Sequence, residues 1–342
     1  MHDNTDDVVS VSVIMPIRNE ERYIAASLGA VLTQEYPAAL VEVLIADGMS
    51  TDNTLQLIYA LPGAERVRIF TNPHYWQAPA LNMLIHEARN DVIIRVDGHT
   101  IIASDYISQC VKALKEWNAD EVGGAITPTG TTLLGTAIAA ACRSAFAVPG
   151  AFHTGHKAQR VDTVYMGAWP RDVLDKLGGY QEHLHANEDY DLNYRLRQSG
   201  GVIYFSPTIR STYYGRQSLP ALAKQYIRYG RSKTAMLRLH PTSLRMRQVV
   251  APTFVAACLL GGIGALLNPI IAWGWGAMLL TYMCLCFLFT LHTMRTAERK
   301  AAWFIPGVFL VIHVSWGLGF WIGFFEGPMK ITPKSASTTS PS

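Results

Sequence analysis

SVSVIMPIRNEERYIAASLGAVLTQEYPAALVEVLIADGMSTDNT, residues 10–54, decides the fold. Its opening run, 10–15, is β-branched and apolar and stops at Pro16, which is the pattern of a buried strand. Apolar residues then recur at helical spacing from Glu20 to Thr33, and Val41–Ala46 forms a second strand run that Asp47 and Gly48 turn out of the sheet. A helix follows from about Thr51, with Thr51 or Asp52 near its N-cap, and the third strand is Val67–Thr71. Beyond this βαβαβ unit lie a helix at about 78–88 and a strand, Val92–Val96, that ends at Asp97. Such alternation predicts an α/β domain with a mostly parallel sheet, whose ligands bind beyond the C-terminal ends of the strands, where Asp47 and Asp97 stand. Neither GxGxxG nor GxxxxGK[ST] is present, so a nucleotide needs another grip. One carboxylate accepting from a base or ribose, and another holding a divalent cation against a diphosphate, would supply it.

The whole chain has 342 residues, 49% of them hydrophobic, only 16% charged, and a mean hydropathy of +0.14. Ordinary soluble domains carry about 25% charge, so disorder is excluded and a wholly soluble protein is disfavoured; the length suits roughly two domains. The net charge of +3 hides an asymmetry: residues 1–214 hold 16 basic and 24 acidic side chains, whereas 215–248 hold eight basic ones and no acid. That basic stretch stops where a long apolar region begins, which favours anionic lipid headgroups and no nucleic-acid partner. From Val249 to Phe325 the charged side chains are Arg295, Glu298, Arg299 and Lys300, all in one connector. The apolar runs at about 250–267, 270–291 and 302–325 are each near the ~20 residues that cross a bilayer. Three spans put 215–248 and the 295–300 connector on one cytoplasmic face and the C-terminus outside. The 326–342 tail is polar and reads as disordered. The five cysteines form no CxxC pair and read as reduced thiols, and the acidic N-terminus shows no apolar leader, so the chain is expected to start in the cytosol.

VSVIMPIRNEE, ADGMSTDNT, IIRVDGHT, NEDYDLNYRLRQSGG and KQYIRYG, in this order and spacing over about 10–235, resemble glycosyltransferase family 2. Within it they are similar to the membrane-associated, ExoA-like branch of bacterial exopolysaccharide (succinoglycan-type) assembly. The resemblance implies a GT-A domain, Rossmann-like, over 8–214, then a basic amphipathic interfacial segment and C-terminal transmembrane α-helices. It implies that Pro16, Arg18, Asn19 and Glu20 line the nucleotide pocket, that Asp47 contacts the uracil or ribose, and that Asp52 caps a helix instead. Asp97-Gly98-His99 takes the family's DxD position, with His99 in place of the second acid. Neutral imidazole ligates Mn²⁺ better than Mg²⁺, so a divalent cation on Asp97 and His99 is expected to be Mn²⁺ ahead of Mg²⁺. The Glu188-Asp189 pair supplies the general base, Asp189 first and Glu188 second. Trp169 either stacks on a sugar or packs, and Gln225, Arg228 and Tyr229, in a QxxRW-like element with Tyr for Trp, face diphosphate or acceptor, or lie on the membrane as an amphipathic helix. His153, His156, His183 and His185 lack a third placed ligand for zinc and read as surface loops. The apolar 131–148 run reads as a helix packed on the domain or membrane surface.

The expected activity is an inverting, metal-dependent hexosyl transfer from a nucleotide-sugar, a UDP-sugar by preference, to a lipid-linked or growing saccharide. The catalytic domain would face the cytosol on a multi-pass anchor in the cytoplasmic (inner) membrane, with other polysaccharide-assembly proteins as partners. Two rivals remain: a polyprenyl-phosphate sugar synthase, and a catalytically inactive membrane scaffold.

Overall fold

The computed structural model describes residues 9–148, 155–184, 186–294 and 300–327. The first strand, β1 (Val11–Ile17), lies between β2 (Val41–Asp47) and β4 (Val92–Arg95), all parallel, with β3 (Val67–Thr71) outside β2. β1 runs through Pro16 to Ile17, two residues past the expected stop. Ile14 accepts from Val96, so even-numbered residues of β1 face β4, whose pairing ends at Ile14–Arg95. The N–H that Pro16 lacks would therefore point where β4 has turned away, and no ladder bond is lost.

The remaining strands are β5 (Thr100–Ile102), β6 (Glu121–Thr129), β7 (Gln159–Arg160), β8 (Ala168–Pro170) and β9 (Ile203–Tyr214). Among the described residues they complete one sheet in the order β3-β2-β1-β4-β8-β6-β9-β5, with β7 on β9. The sheet is mixed: β3-β2-β1-β4 and the long β6–β9 pair are parallel, as expected, and the other pairings are not. β8 enters antiparallel to both β4 and β6, and β5 and β7 are antiparallel to β9. The strand-helix alternation that signals parallel pairing ends at β4, and β8 is brought in by chain distant in sequence.

Helices cover both faces. On one, α1 (Ile24–Leu32), α2 (Thr54–Tyr59) and α4 (Tyr106–Glu116) bury Ile24, Leu28, Ile58, Ile107 and Cys110 against Val13, Met15 and Ile94. On the other, α3 (Gln77–Glu87), α6 (Arg171–Leu177) and α7 (Glu188–Gln198) bury Leu81, Leu84, Leu174, Leu192 and Leu196 against Ile14, Leu44 and Ile93. Strands buried on both faces read as continuous apolar runs, which is why β1, β2 and β4 were legible. α1 starts at Ile24 rather than Glu20, because Tyr23 and Ile24 both donate to the Glu20 carbonyl in a preceding turn. α2 starts at Thr54, since the Thr51 N–H is held by the Asn19 side chain.

α5 (Leu133–Cys142) occupies the apolar 131–148 run and leaves the sheet to join a third core with Ala301, Ala302, Ile305, Val308 and Phe309. The chain then forms α8 (Leu219–Leu239), α9 (Val250–Ala265), α10 (Pro269–Thr293) and α11 (Ile305–Phe325). Three helical stretches, Met246–Ala265, Pro269–Thr293 and Ala301–Phe325, are long and apolar enough to cross a membrane. α8 is not an isolated surface helix: Gly230 and Gly319 let its backbone meet that of α11, and a Cβ at Gly319 would strike the Ile227 carbonyl. His153, His185, the Arg295–Arg299 part of the connector and the 328–342 part of the tail lie outside the described residues.

Candidate active site

The loops after β1, β2 and β3 are stitched together. Asn19 accepts from Thr51 N at 2.8 Å and its own N–H donates to Ser50 Oγ; Glu20 N donates to Thr54 Oγ1. Asp47, buried at the end of β2, accepts from Ser50 N at 3.1 Å and from the Ser50 hydroxyl. Asp52 accepts from Thr54 N and Glu21 N, but the residue at the N-cap of α2 is Asn53, so the capping role expected of Asp52 is replaced by bonds that hold the loop. Arg18 lies over the Tyr75 ring at 4.7 Å, and Tyr75 and Trp76 are exposed beside it. Asn19, Met49, Tyr75, Met166 and Asn187 all have positive φ, between 48° and 64°. These strained positions lie in loops around one site, where over-determined backbone is typically found.

At the centre stands Arg95, which sequence reasoning passed over. It is 4% exposed; its Nε donates to Asp97 Oδ1 at 2.8 Å, and a terminal nitrogen lies 3.9 Å from Glu188 Oε1. Asp97, 5% exposed, also accepts from Tyr165 Oη at 3.0 Å and Gln77 Nε2 at 3.2 Å. Burial raises the Asp97 carboxyl, but the Arg95 guanidinium outweighs it and holds the group below its usual range. Glu121, at the start of β6, was likewise missed: burial pushes its carboxyl well above the ordinary range. The available signal was charge inside apolar strand runs, Arg95 within VIIRV and Glu121 before VGGAI.

α7 begins at Glu188, with Asn187 in the left-handed conformation ahead of it. Glu188 is buried, and burial together with the neighbouring Asp189 charge raises its carboxyl to about 7 against the pull of Arg95. Asp189 is half-buried, and its Oδ1 accepts from Tyr190 N at 2.7 Å. The pair thus divides into a buried member against Arg95 and a solvent-reachable member at a helix N-terminus.

His99 Nδ1 lies 2.8 Å from Glu20 Oε1, so Glu20 faces the Asp97–His99 turn. Gly98 makes room for it, since a Cβ there would sit 2.9 Å from Glu20 Cγ. Burial pulls the His99 imidazole down, and Glu20 and Asp97 outweigh it and hold it above its ordinary value. A carboxylate on one ring nitrogen is how a ligating imidazole is commonly oriented, leaving Nε2 for a cation. His99 Nε2 and Asp97 would be the two ligands of a cation here, with both Asp97 oxygens already accepting from Arg95 and from Gln77 or Tyr165. Among the described residues no group of three or more His, Cys, Asp or Glu converges on a metal position, so further donors would have to come from the substrate or water. His183 and His156 do not form such a cluster either.

Two expectations change. Trp169 on β8 is 2% exposed and packs with Ile93, Leu174 and Phe205, so its face is closed to a sugar. Pro16 is buried within β1 and lines no loop. On α8, Gln225 donates to Tyr229 Oη at 2.7 Å and accepts from Arg216 at 3.3 Å. With Trp76, Arg216, Lys224 and Arg231, Gln225 and Arg228 line a groove of about 1050 Å³ along α8. Lys233 over the Tyr190 ring at 4.5 Å ties this helix to the start of α7.

Residues 12–137 match the model of glycosyl transferase family 2. The chain is 29% identical over 330 residues to the succinoglycan biosynthesis protein ExoA of Rhizobium meliloti (strain 1021), covering 93% of this chain and 96% of that one. It is 28% identical over 237 residues, 67% of this chain and 74% of the other, to a dolichyl N-acetyl-alpha-D-glucosaminyl phosphate 3-beta-D-2,3-diacetamido-2,3-dideoxy-beta-D-glucuronosyltransferase of Methanococcus voltae. Among solved structures, the mannosyltransferase PcManGT of Pyrobaculum calidifontis, in complex with GDP-Man and Mn²⁺, shares the fold with a TM-score of 0.62 at 17% identity, over 90% of this chain and 87% of that one.

Proposed function

The chain carries a glycosyltransferase family 2 domain of GT-A-like fold, and from that premise we propose that it is an inverting glycosyltransferase of polysaccharide biosynthesis at the cytoplasmic membrane. The donor is a nucleotide-sugar, UDP-linked in our reading, and the acceptor a lipid-linked or growing saccharide. One observation carries the proposal: a solvent-reachable carboxylate, Asp189, stands in the first turn of α7 beside the buried Arg95–Asp97–Glu188 cluster at the strand ends.

Asp189 accepts the proton of the acceptor hydroxyl as its oxygen attacks the anomeric carbon. The new C–O bond forms while the bond to the diphosphate breaks, and the electron pair leaves with the nucleoside diphosphate. Attack opposite the leaving group inverts the anomeric centre. Tyr190 N–H fixes one Asp189 oxygen and leaves the other for the hydroxyl. Arg95 keeps Asp97 ionised, and Glu20 orients His99; Asp97 and His99 would hold the divalent cation, Mn²⁺ ahead of Mg²⁺. Such a cation, when bound, neutralises charge on the leaving diphosphate. Asp47 remains our candidate for the base or ribose, Arg18 for the entrance over Tyr75, and Arg228 with Tyr229 for the diphosphate and acceptor on α8.

The test is release of UDP from a panel of UDP-sugars by purified membranes with a lipid-extract acceptor, under Mn²⁺, Mg²⁺ or EDTA, alongside Asp189→Asn. Turnover of one donor that the variant loses supports the base assignment. Bare polyprenyl phosphate serving as acceptor would replace the saccharide acceptor with a synthase reaction. No release from any donor would sink the UDP-sugar reading.

A further inference from the structure

Three helical stretches meet the length and hydropathy of a span, but they sit differently in the protein. We infer that only α9 and α10 cross the bilayer, as a hairpin turning at Asn268–Pro269, and that α11 lies in the membrane plane beside α8, so that its end returns to the side of the candidate active site. This rests on the membrane reading above.

α11 is attached to the catalytic domain from end to end. Its first turns bury Ile305, Val308 and Phe309 with Ala137 and Ala141 of α5. At its middle, His313 Nε2 lies 2.8 Å from the Phe146 carbonyl, in the segment that follows α5. Its second half runs parallel to α8: Gly319 abuts Ile227, Gly323 abuts Arg231 and Thr234, and Arg238 donates to the Gly323 and Phe324 carbonyls. Arg231 then pairs with Glu326 at 2.8 Å, just past the last turn. Buried residues make up 39% of the apolar window of α11, against 11% for α9 and 6% for α10.

α8 cannot follow α11 across hydrocarbon. It carries Lys224, Arg228, Arg231, Lys233 and Arg238 and no acid, and cations at the bilayer centre are costly unless paired or wetted. Its end is fixed to the catalytic domain, with His240 Nε2 2.9 Å from Asp191, the Tyr194 and Thr242 hydroxyls bonded, and Arg245 2.8 Å from Asp162. A crossing α11 would carry its last turn about 30 Å from its first. Arg231, Arg238 and the start of α7 behind them would have to go with it.

α9 and α10 behave as lipid-facing spans. Trp275 Nε1 donates to the Cys258 carbonyl and the indole covers Gly261, while Leu260, Leu266, Leu267, Ile270 and Trp273 face outward. α11 meets this hairpin at the first turns of α9 and the middle of α10, through Gly317 on Ala251 and Val255, Trp321 Nε1 on the Pro252 carbonyl, and Tyr282 Oη on His313 Nδ1. The charge pattern agrees. The Leu266–Pro269 turn is uncharged, whereas Lys330 and Lys334 follow α11; with two spans these lysines join the 215–248 cations on the positive side, and with three they would be translocated. The outward residues of α11, Leu310, Leu318, Ile322 and Phe325, then enter the acyl boundary while the α8 cations meet anionic headgroups.

The experiment uses the full chain in sealed inverted and right-side-out membrane vesicles, with membrane-impermeant maleimide labelling of three single variants against the unsubstituted background. Ser199→Cys marks the catalytic domain, Asn268→Cys the hairpin turn and Ser340→Cys the tail. We expect Ser340→Cys to label from the same face as Ser199→Cys and Asn268→Cys from the other. Ser340→Cys labelling together with Asn268→Cys, opposite Ser199→Cys, overturns the inference and leaves the membrane transferase standing. All three labelling from one face, with the protein released by alkaline carbonate, overturns the membrane reading and the inference with it.

Discussion

Arg95 Nε donates to Asp97 Oδ1 at 2.8 Å two residues along the same chain, with both side chains buried and Glu188 3.9 Å from the same guanidinium. Removing the cation would leave carboxylates in low dielectric without a partner, which typically costs about 3–5 kcal/mol. Arg95→Leu is therefore expected to lower the denaturation midpoint of the detergent-solubilised protein sharply. Arg95→Leu with Asp97→Asn should recover part of the loss. An unchanged midpoint in Arg95→Leu would show that the pair is not held as described.

Glu188 gives the pH dependence. Its carboxyl is raised from 4.5 to about 7 by burial and by Asp189, so between those values the folded state binds more protons than the unfolded one. Its stabilising share is full below about 4.5 and is lost as pH rises through 7. Glu188→Gln should flatten stability between pH 4.5 and 7 and make the variant the more stable form at pH 8. Parallel curves for the two proteins would contradict this.

Gly319 is a point of close approach between α8 and α11, and an added Cβ there would collide with the Ile227 backbone. Backbone cannot yield as a flexible side chain does, so Gly319→Val should cost at least the 1–3 kcal/mol typical of overpacking. Gly276→Ala on α10 meets open space and serves as the control, with a change within about 1 kcal/mol. Equal melting of both variants would deny the close α8–α11 contact.

Trp169 separates packing from sugar stacking by its kinetics. Buried among Ile93, Leu174 and Phe205, it should lose about 3–5 kcal/mol of stability on Trp169→Ala. Donor KM, measured on the fraction that remains folded, should stay within twofold. A large rise in KM with unchanged stability would return the ring to the substrate.

What could be read from the sequence follows from the range of the interactions. β1, β2 and β4 were legible because burial on both faces writes a local apolar run, and Asp47 and Asp97 followed as strand-end residues. The β8–β4 pairing, the Glu20–His99 contact across 79 residues and the packing of Trp169 are long-range facts that no local period encodes. Arg95 was passed over inside its strand run because its partners, Asp97 and Glu188, are brought together only in the fold. Hydropathy could find α11 but not place it, since an apolar helix against lipid and one against α5 and α8 share the same composition.

The Glu20–His99 contact makes the last prediction. A carboxylate on Nδ1 fixes the ring and leaves Nε2 for the cation we propose, and loss of such a partner usually weakens metal affinity 10- to 100-fold. Glu20→Gln keeps the length and a hydrogen-bonding group but loses the charge, so the Mn²⁺ concentration giving half-maximal transfer should rise by about tenfold, with less change in activity at saturating Mn²⁺. His99→Asp replaces nitrogen with the oxygen that Mg²⁺ prefers, so the ratio of Mg²⁺- to Mn²⁺-supported activity should rise. If EDTA leaves the wild type active, or if neither substitution moves the metal response, then Asp97 and His99 hold no cation and the Glu20 contact is an ion pair that braces the turn.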